Sequence, residues 1–407
     1  MKISLLHYAA PPIVGGVEIV MASQATQLSR SGHDVQILAG RGKTWDRKIP
    51  VIVEPRFDST HPEILKIKSS LDKGKVPSEF EQLKNELLKV LEARLQDQDA
   101  LICHNVASLH KNLALTAAIY EFTRNYDKPR VILWHHDLAW SMPGYQKELH
   151  SGYPWNLLRI PWHNVRYVTI SEPRRVELAN LIHFPESQIE VIPGGVNITD
   201  FLGLQTRTRQ LINKLNLLPA APLFLTPVRL TRRKNLEQAI CIMAELRKLL
   251  PDAELVITGP TGAHNPANEQ YLQELKALRQ ELNLEKAVHL LAEHVPQGLT
   301  ELEIADFFRL ADCLLLTSHE EGFGIPIIEA GISRLIIFCT DLPPLRMLAQ
   351  EDATYFLPSE EPASVAQRIY TRLKSDPVYH LRNRVRSHFT WESIYRNKIA
   401  PLLEELL

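Results

Sequence analysis

The sequence predicts an α/β protein made of two doubly wound parallel sheets, one following the other along the chain. Three observations predict it. Short apolar runs of strand length alternate with longer amphipathic stretches throughout, which is the pattern of parallel strands joined by helical crossovers. The alternation pauses near residues 196–220 and then restarts. A chain of 407 residues is also too long for one ordinary core, so two domains are expected.

In the first half the strand-like runs are "KISLLHYA", "HDVQILAG", "ALICHN", "RVILWHH", "RYVTIS" and "IEVIPGG". Between the second and third lies an insertion, roughly 43–100, in which Phe80, Leu83, Leu87, Leu91 and Leu95 recur at helical spacing. That stripe reads as core packing. The preceding Lys66, Lys68, Lys73 and Lys75 read as a solvated basic loop; contact with an anionic acceptor or a membrane surface is the minority reading. In the second half the runs are "APLFLTPVR", "AELVITGP", "AVHLLAE", "DCLLLTS", "RLIIFCT" and "ATYFLP". The last segment, "TWESIYRNKIAPLLEELL", is an amphipathic helix that Pro401 should bend. The expected division is residues 1–200, 201–390 and a closing helix, 391–407.

Composition narrows the function. A formal net charge of −1 gives no global pull toward nucleic acid. The cysteines Cys103, Cys241, Cys313 and Cys339 are far apart and mostly in apolar runs, so they read as reduced, buried thiols. No apolar run approaches the roughly 18 residues of a membrane span, and the N-terminal apolar segment is too short for a signal peptide. A cytoplasmic protein is expected.

Three stretches point to an anionic ligand. In "PPIVGGVE", Gly15 and Gly16 let backbone approach a ligand at the start of a helix whose N–H groups are free; a tight strand-to-helix turn explains them equally well. In "PVRLTRRKN", Arg229 ends a predicted strand and Lys234 precedes a helix. Two fixed cations there suit a diphosphate, although Arg232 and Arg233 also permit a plain basic loop. The third stretch, "EEGFGIPIIEAG" at 320–331, follows the buried run "DCLLLTS". Pro326 suits a first helical turn, and backbone N–H groups of Phe323, Gly324 and Ile325 are placed for phosphate. Glu329 suits a vicinal diol such as a ribose, and Glu321 a second polyol. Acids near a helix N-terminus simply complement its dipole, but that explains neither the paired glycines nor Glu329 within an apolar stretch.

Together these residues resemble the family-four retaining glycosyltransferases of the GT-B architecture, two Rossmann-like domains facing a cleft. The resemblance rests on E-x7-E with "EGFG", preceded by R-L-x-x-x-K, and on "GGVE", "YVTISE", "IEVIPGGVNITDF" and the closing "TWESIYR". It implies that Arg229 and Lys234 bind the donor diphosphate, that Glu329 holds the ribose, and that Glu321 contacts the donor sugar. Phe323, Gly324 and Ile325 would supply backbone contacts, and Gly16 would lie over the diphosphate. In "VILWHHDLAW" the matching histidine is His136, with its neighbour His135 the alternative. The sequence departs from the family where "EAGISRLIIFCTDLPPL" replaces the usual turn, leaving Asp341 as the loop acid, and where Asn197 replaces the usual acid after "GV".

The expected activity is retaining, metal-independent hexosyl transfer from a nucleoside-diphosphate sugar of UDP-glucose or GDP-mannose type, with no further cofactor. The expected acceptor is a soluble sugar or sugar phosphate. "LVITGP" and the following "TGAHNPANEQYLQEL" are similar to the sucrose-phosphate-synthase branch, which implies UDP-glucose and fructose 6-phosphate. A mannosyl- or glucosyltransferase of an envelope glycan or lipid is the alternative, with peripheral membrane contact disfavoured. A nucleotide-sugar epimerase and a non-catalytic binding protein are the alternatives of other classes. "DQD" at 97–99 has the form of a metal-binding D-x-D, but it ends a charged helix and reads as solvent-facing; no zinc spacing occurs.

Overall fold

The computed structural model describes residues 1–260 and 267–406. The chain divides into two compact units, Met1–Val196 with Phe389–Leu407, and Asn197–His388.

The first unit is built on seven strands: β1 (Lys2–His7), β2 (Asp34–Ala39), β3 (Val51–Val53), β4 (Ala100–His104), β5 (Arg130–His135), β6 (Val165–Thr169) and β7 (Ile189–Val191). Their order is β3-β2-β1-β4-β5-β6-β7, and every pair is parallel. Alternate residues serve two cores, as a sheet covered on both faces requires. Leu6, Leu38, Leu101 and Leu133 enter one; Leu5, Ile37, Ile102 and Ile132 enter the other. The edge strand β3 lies inside the segment expected to be an insertion. It is too short to carry a readable period.

The helix Glu79–Leu95 buries Phe80, Leu83, Leu87, Leu91 and Leu95, so that stripe is core. The lysines before it are not all loop residues. Lys66 and Lys68 lie on the helix Pro62–Leu71, and Lys68 Nζ donates to Asp72 at 2.7 Å and Glu148 at 2.8 Å. His110 Nε2 meets the same Glu148 oxygen at 2.6 Å. Asp72, His110 and Glu148 are close enough to share a cation, and the Lys68 ammonium already takes that role.

The C-terminal segment belongs to this unit. Val196 N donates to Phe389 O at 2.8 Å, and Trp391, Ile394, Ile399 and Leu402 join the core of Met21 and Ala25. The closing helix is irregular next to Pro401. A widened π turn over Tyr395–Ile399 precedes Ala400–Glu404, so the irregularity falls before the proline, where its missing N–H leaves a carbonyl unbonded.

The second unit carries β8 (Leu223–Thr226), β9 (Glu254–Ile257), β10 (Val288–Leu290), β11 (Cys313–Leu316), β12 (Ile336–Thr340) and β13 (Ala353–Phe356). Their order is β10-β9-β8-β11-β12-β13, again all parallel. Both units are therefore Rossmann-like. All four cysteines are free, and Cys103, Cys313 and Cys339 are buried. Among the described residues no helix is long and apolar enough to cross a membrane.

Candidate functional site

Each sheet reverses the direction of its crossovers once, between β1 and β4 and between β8 and β11. Beyond the carboxyl ends of such strands the two following loops diverge, and the crevice left there is where open α/β sheets take ligands. The predicted residues collect at these two places.

In the second unit the loop after β8 carries the cations and the loop after β11 carries Glu321. They are stitched together. Thr317 Oγ1 donates to Lys234 O at 3.0 Å and Asn235 O at 2.8 Å, and His319 N donates to Arg233 O at 2.8 Å. Lys234 is not a free cation. Its Nζ donates to Glu321 Oε1 at 2.5 Å, with the two side chains 9% and 7% exposed. Ser318 Oγ donates to the same oxygen at 2.7 Å. Arg232 is held by Glu274 at 2.7 and 2.8 Å. Arg229 and Arg233 are exposed and have no carboxylate partner among the described residues. Arg229 also does not end its strand; β8 stops at Thr226 and Arg229 lies in the loop beyond. There Gly259 packs so tightly that an added Cβ would sit 1.9 Å from Val228 O, a contact only glycine permits.

The helix Ile325–Ile332 starts at Gly324, whose φ is +100°. A Cβ on Gly324 would meet Leu345 Cδ2 at 2.5 Å. No side chain caps this helix; Pro326 has no N–H and Ile327 N donates to Gly324 O at 2.9 Å, which leaves the N–H groups of Gly324 and Ile325 for a ligand. Phe323 and Ile325 have exposed side chains, as residues offering backbone do. Glu329 lies one turn in, half-buried, and its carboxylate has no hydrogen-bond partner among the described residues. Burial raises its carboxyl pKa. Asp341 follows β12 and is forked to Arg346 at 2.7 Å through both oxygens, while Asn197 caps the helix Ile198–Phe201. Neither is free. Residues 261–266 of the "TGAHNPANEQYLQEL" stretch lie outside the described residues.

In the first unit the polar residues at the strand ends are histidines. His7 closes β1, His104 closes β4 and His135 closes β5. His7 Nδ1 donates to His104 O at 2.8 Å, and the His104 and His136 rings meet at 3.0 Å between Nδ1 and Nε2. Asn105 is left-handed, φ +58°; its Oδ1 accepts from His136 N at 2.7 Å and Asp137 N at 3.1 Å. His135 is turned away from this group. It stacks on Tyr167 at 5.9 Å, and both its ring nitrogens are buried without partners among the described residues. Strand alternation separates the two neighbours, with His136 in the polar cluster and His135 in the core.

Desolvation dominates here. It lowers His7 and sets His104 well below the ordinary imidazole range. His135 is lowered to about 3 and His136 to about 4, so all four are neutral at pH 7. Glu18, in the first turn of the helix Gly16–Arg30, lies 3.8 Å from His7 Nε2. Its carboxylate fills the space a Cβ on Gly15 would need, whereas a Cβ on Gly16 would meet nothing within 4 Å. The Glu18 carboxylate is the free end of a flexible side chain, so neither Gly15 nor Gly16 has a packing reason to be glycine. Asp99 Oδ2 of the D-x-D accepts from Lys2 N at 2.7 Å, at the opposite end of the sheet from the histidines.

Sequence reasoning missed His7, His104, Asn105, Ser318 and Gly259. For the histidines a signal was present, because "KISLLH" and "ALICH" end in the same residue type at the carboxyl ends of parallel strands.

Residues 14–200 match the model of Glycosyltransferase Family 4, and residues 208–388 match that of Glycosyl transferases group 1. The chain belongs to this glycosyltransferase family. This glycosyltransferase is 26% identical over 376 residues to a mannosylglucosylglycerate synthase of Petrotoga mobilis, a match spanning 84% of this chain and 83% of that one. It is 31% identical over 150 residues to the serotype-specific mannosyltransferase WbdA of Escherichia coli, spanning 37% of this chain and 17% of the other. Among solved structures, the sucrose-phosphate synthase of Thermosynechococcus elongatus aligns over 100% of this chain and 98% of that one, at 16% identity and a TM-score of 0.38.

Proposed function

We propose that this glycosyltransferase moves a hexose, with mannose the first candidate, from a nucleoside-diphosphate sugar to a small hydroxyl acceptor, with retention and without a metal ion. The observation that carries the reading is the second unit's switch point. There the paired Lys234 and Glu321 adjoin Arg229 and Arg233, which have no carboxylate partner among the described residues, and the helix Ile325–Ile332, uncapped by any side chain, carries in its second turn Glu329, whose carboxylate has no partner among those residues. A diphosphate matches the cations and free N–H groups. A ribose diol satisfies Glu329, and sugar hydroxyls satisfy Glu321.

In this mechanism the acceptor hydroxyl attacks the anomeric carbon on the face from which the diphosphate departs. The bond from that carbon to the phosphate oxygen breaks, and the phosphate oxygen takes the hydroxyl proton. Arg229, Lys234 and the N–H groups of Gly324 and Ile325 stabilise the growing negative charge, the work a metal ion does elsewhere. His136, neutral at working pH, holds a sugar hydroxyl and takes no proton in the step. Gly16 leaves room for the diphosphate.

Mannose is favoured because the relative matched over most of the chain and the shorter match are both named for mannosyl transfer. The first of those names also points to a small sugar-acid acceptor. The test is nucleotide release from GDP-mannose and UDP-glucose in the presence of EDTA, each alone, with glucosylglycerate and with fructose 6-phosphate. GDP release that depends on glucosylglycerate supports the reading. Release of UDP only with fructose 6-phosphate replaces it with the sucrose-phosphate-synthase-like pair. A donor rearranged without any acceptor would place the protein among the epimerases.

A further inference from the structure

We propose that His104 is a positioning residue that fixes the tautomer of His136, so that His136 presents Nδ1 as a hydrogen-bond acceptor to a sugar hydroxyl. The inference rests on the transferase reading for its consequence, not for its geometry. His104 is fully buried, and among the described residues its Nε2 has no partner. His7 Nδ1 donates to the backbone carbonyl of His104 at 2.8 Å, and Trp134 packs beside the ring at 5.6 Å between ring centroids. Among the described residues the ring's one polar contact is Nδ1 to His136 Nε2, 3.0 Å, with the rings inclined at 37°.

A neutral imidazole carries one N–H and one lone pair, so this contact has two forms. In the first, His104 carries its hydrogen on Nε2, the form ordinary histidine favours in water, and its Nδ1 lone pair accepts from His136 Nε2–H. His136 Nδ1 is then a lone pair. In the second, both hydrogens move and His136 Nδ1 becomes a donor. The first leaves both rings in their preferred tautomer. Among the described residues His136 Nδ1 has no hydrogen-bond partner, and it is not one of the enclosed unpartnered nitrogens, so it is the ring nitrogen open to a ligand. Asn105 completes the arrangement by holding the His136 backbone N–H at 2.7 Å. A neighbour that sets a histidine's tautomer and direction in this way controls what the histidine offers.

The experiment is ring 15N NMR of the full chain at pH 7, with His136 assigned by substitution, alongside steady-state kinetics. In the wild type, His136 is expected to show a protonated Nε2 and a bare Nδ1. A protonated Nδ1, or averaged shifts, overturns the proposal without any variant. His104→Asn keeps an acceptor, its Oδ1, for His136 Nε2–H; His104→Phe keeps the volume and removes the acceptor. The Phe variant is expected to average the His136 signals and lower kcat by about ten-fold or more, with little change in donor KM. The Asn variant should restore the single tautomer and most of kcat. A Phe variant that retains the wild-type tautomer contradicts the proposal. If the wild type transfers from no donor, the functional reading fails, and the tautomer result still decides this one.

Discussion

Lys234 Nζ donates to Glu321 Oε1 at 2.5 Å, and the two residues lie 87 positions apart in the chain. The contact joins the loop after β8 to the loop after β11 at the one place where the second sheet reverses its crossovers. In the absence of ligand each charge neutralises the other, in near burial. In the proposed reaction a donor diphosphate would compete with Glu321 for the ammonium, and sugar hydroxyls would replace the ammonium on the carboxylate. Lys234→Met or Glu321→Leu alone is expected to cost stability on the order of 3 kcal/mol, because the remaining charge is left buried without its partner. The double variant should recover much of that loss and still lack transfer activity. Urea unfolding of the three variants checks it; additive losses would mean the pair is not coupled.

Glu329 separates function from stability. Its carboxylate makes no hydrogen bond among the described residues, and burial raises its pKa, so replacing the carboxylate should not harm the fold. Glu329→Gln is expected to leave Tm unchanged or slightly higher. Nucleotide affinity should fall by about 1.5–3 kcal/mol, the worth of a hydrogen bond to a charged group. Titration calorimetry with GDP and UDP provides the measurement, and unchanged affinity removes the ribose assignment.

Two glycines should respond in opposite ways. Gly324 has φ +100° and Leu345 Cδ2 lies 2.5 Å from where a Cβ would be, so Gly324→Ala is expected to destabilise by about 1–3 kcal/mol. Gly16 meets nothing within 4 Å and starts a helix. Gly16→Ala is expected to be neutral or up to about 0.5 kcal/mol stabilising while it impairs transfer. Equal Tm losses in the two variants would show that Gly16 is there for the turn alone.

The neutral histidines of the first unit set an acid limit. His7, His104, His135 and His136 all have folded pKa values below the unfolded value of about 6.5. Below that pH the unfolded chain takes up protons that the folded chain refuses. Stability is therefore complete above about pH 6.5 and is lost as pH falls toward about 4 for His136 and about 3 for His135. His135→Phe keeps the stack on Tyr167, removes two unpartnered nitrogens, and should flatten this decline. Tm measured across the weakly acidic range tests it, and parallel curves for the two proteins would contradict it.

The fold was legible because each buried parallel strand is a short apolar run with punctuation at both ends. Only β3, three residues long, escaped. The E-x7-E stretch was legible because its loop, helix start and acids are contiguous. The histidine cluster was not, since His7 meets His104 across 97 positions and His104 meets His136 across 32, and such contacts depend on strand register. Nor could the sequence tell that Lys234 is paired while Arg229 is free, because two adjacent loops decide it. The His135 and His136 ambiguity needed only the strand's last residue, since one position of alternation sends one ring to the core and the other to the polar edge.

The most direct measurement is proton NMR of a reaction containing GDP-mannose, glucosylglycerate and EDTA, following the anomeric proton and the nucleotide together. The account predicts an α-linked product that appears one-for-one with GDP and without added metal. A β-linked product, an absolute need for a divalent cation, or GDP release without a new glycosidic bond would contradict it.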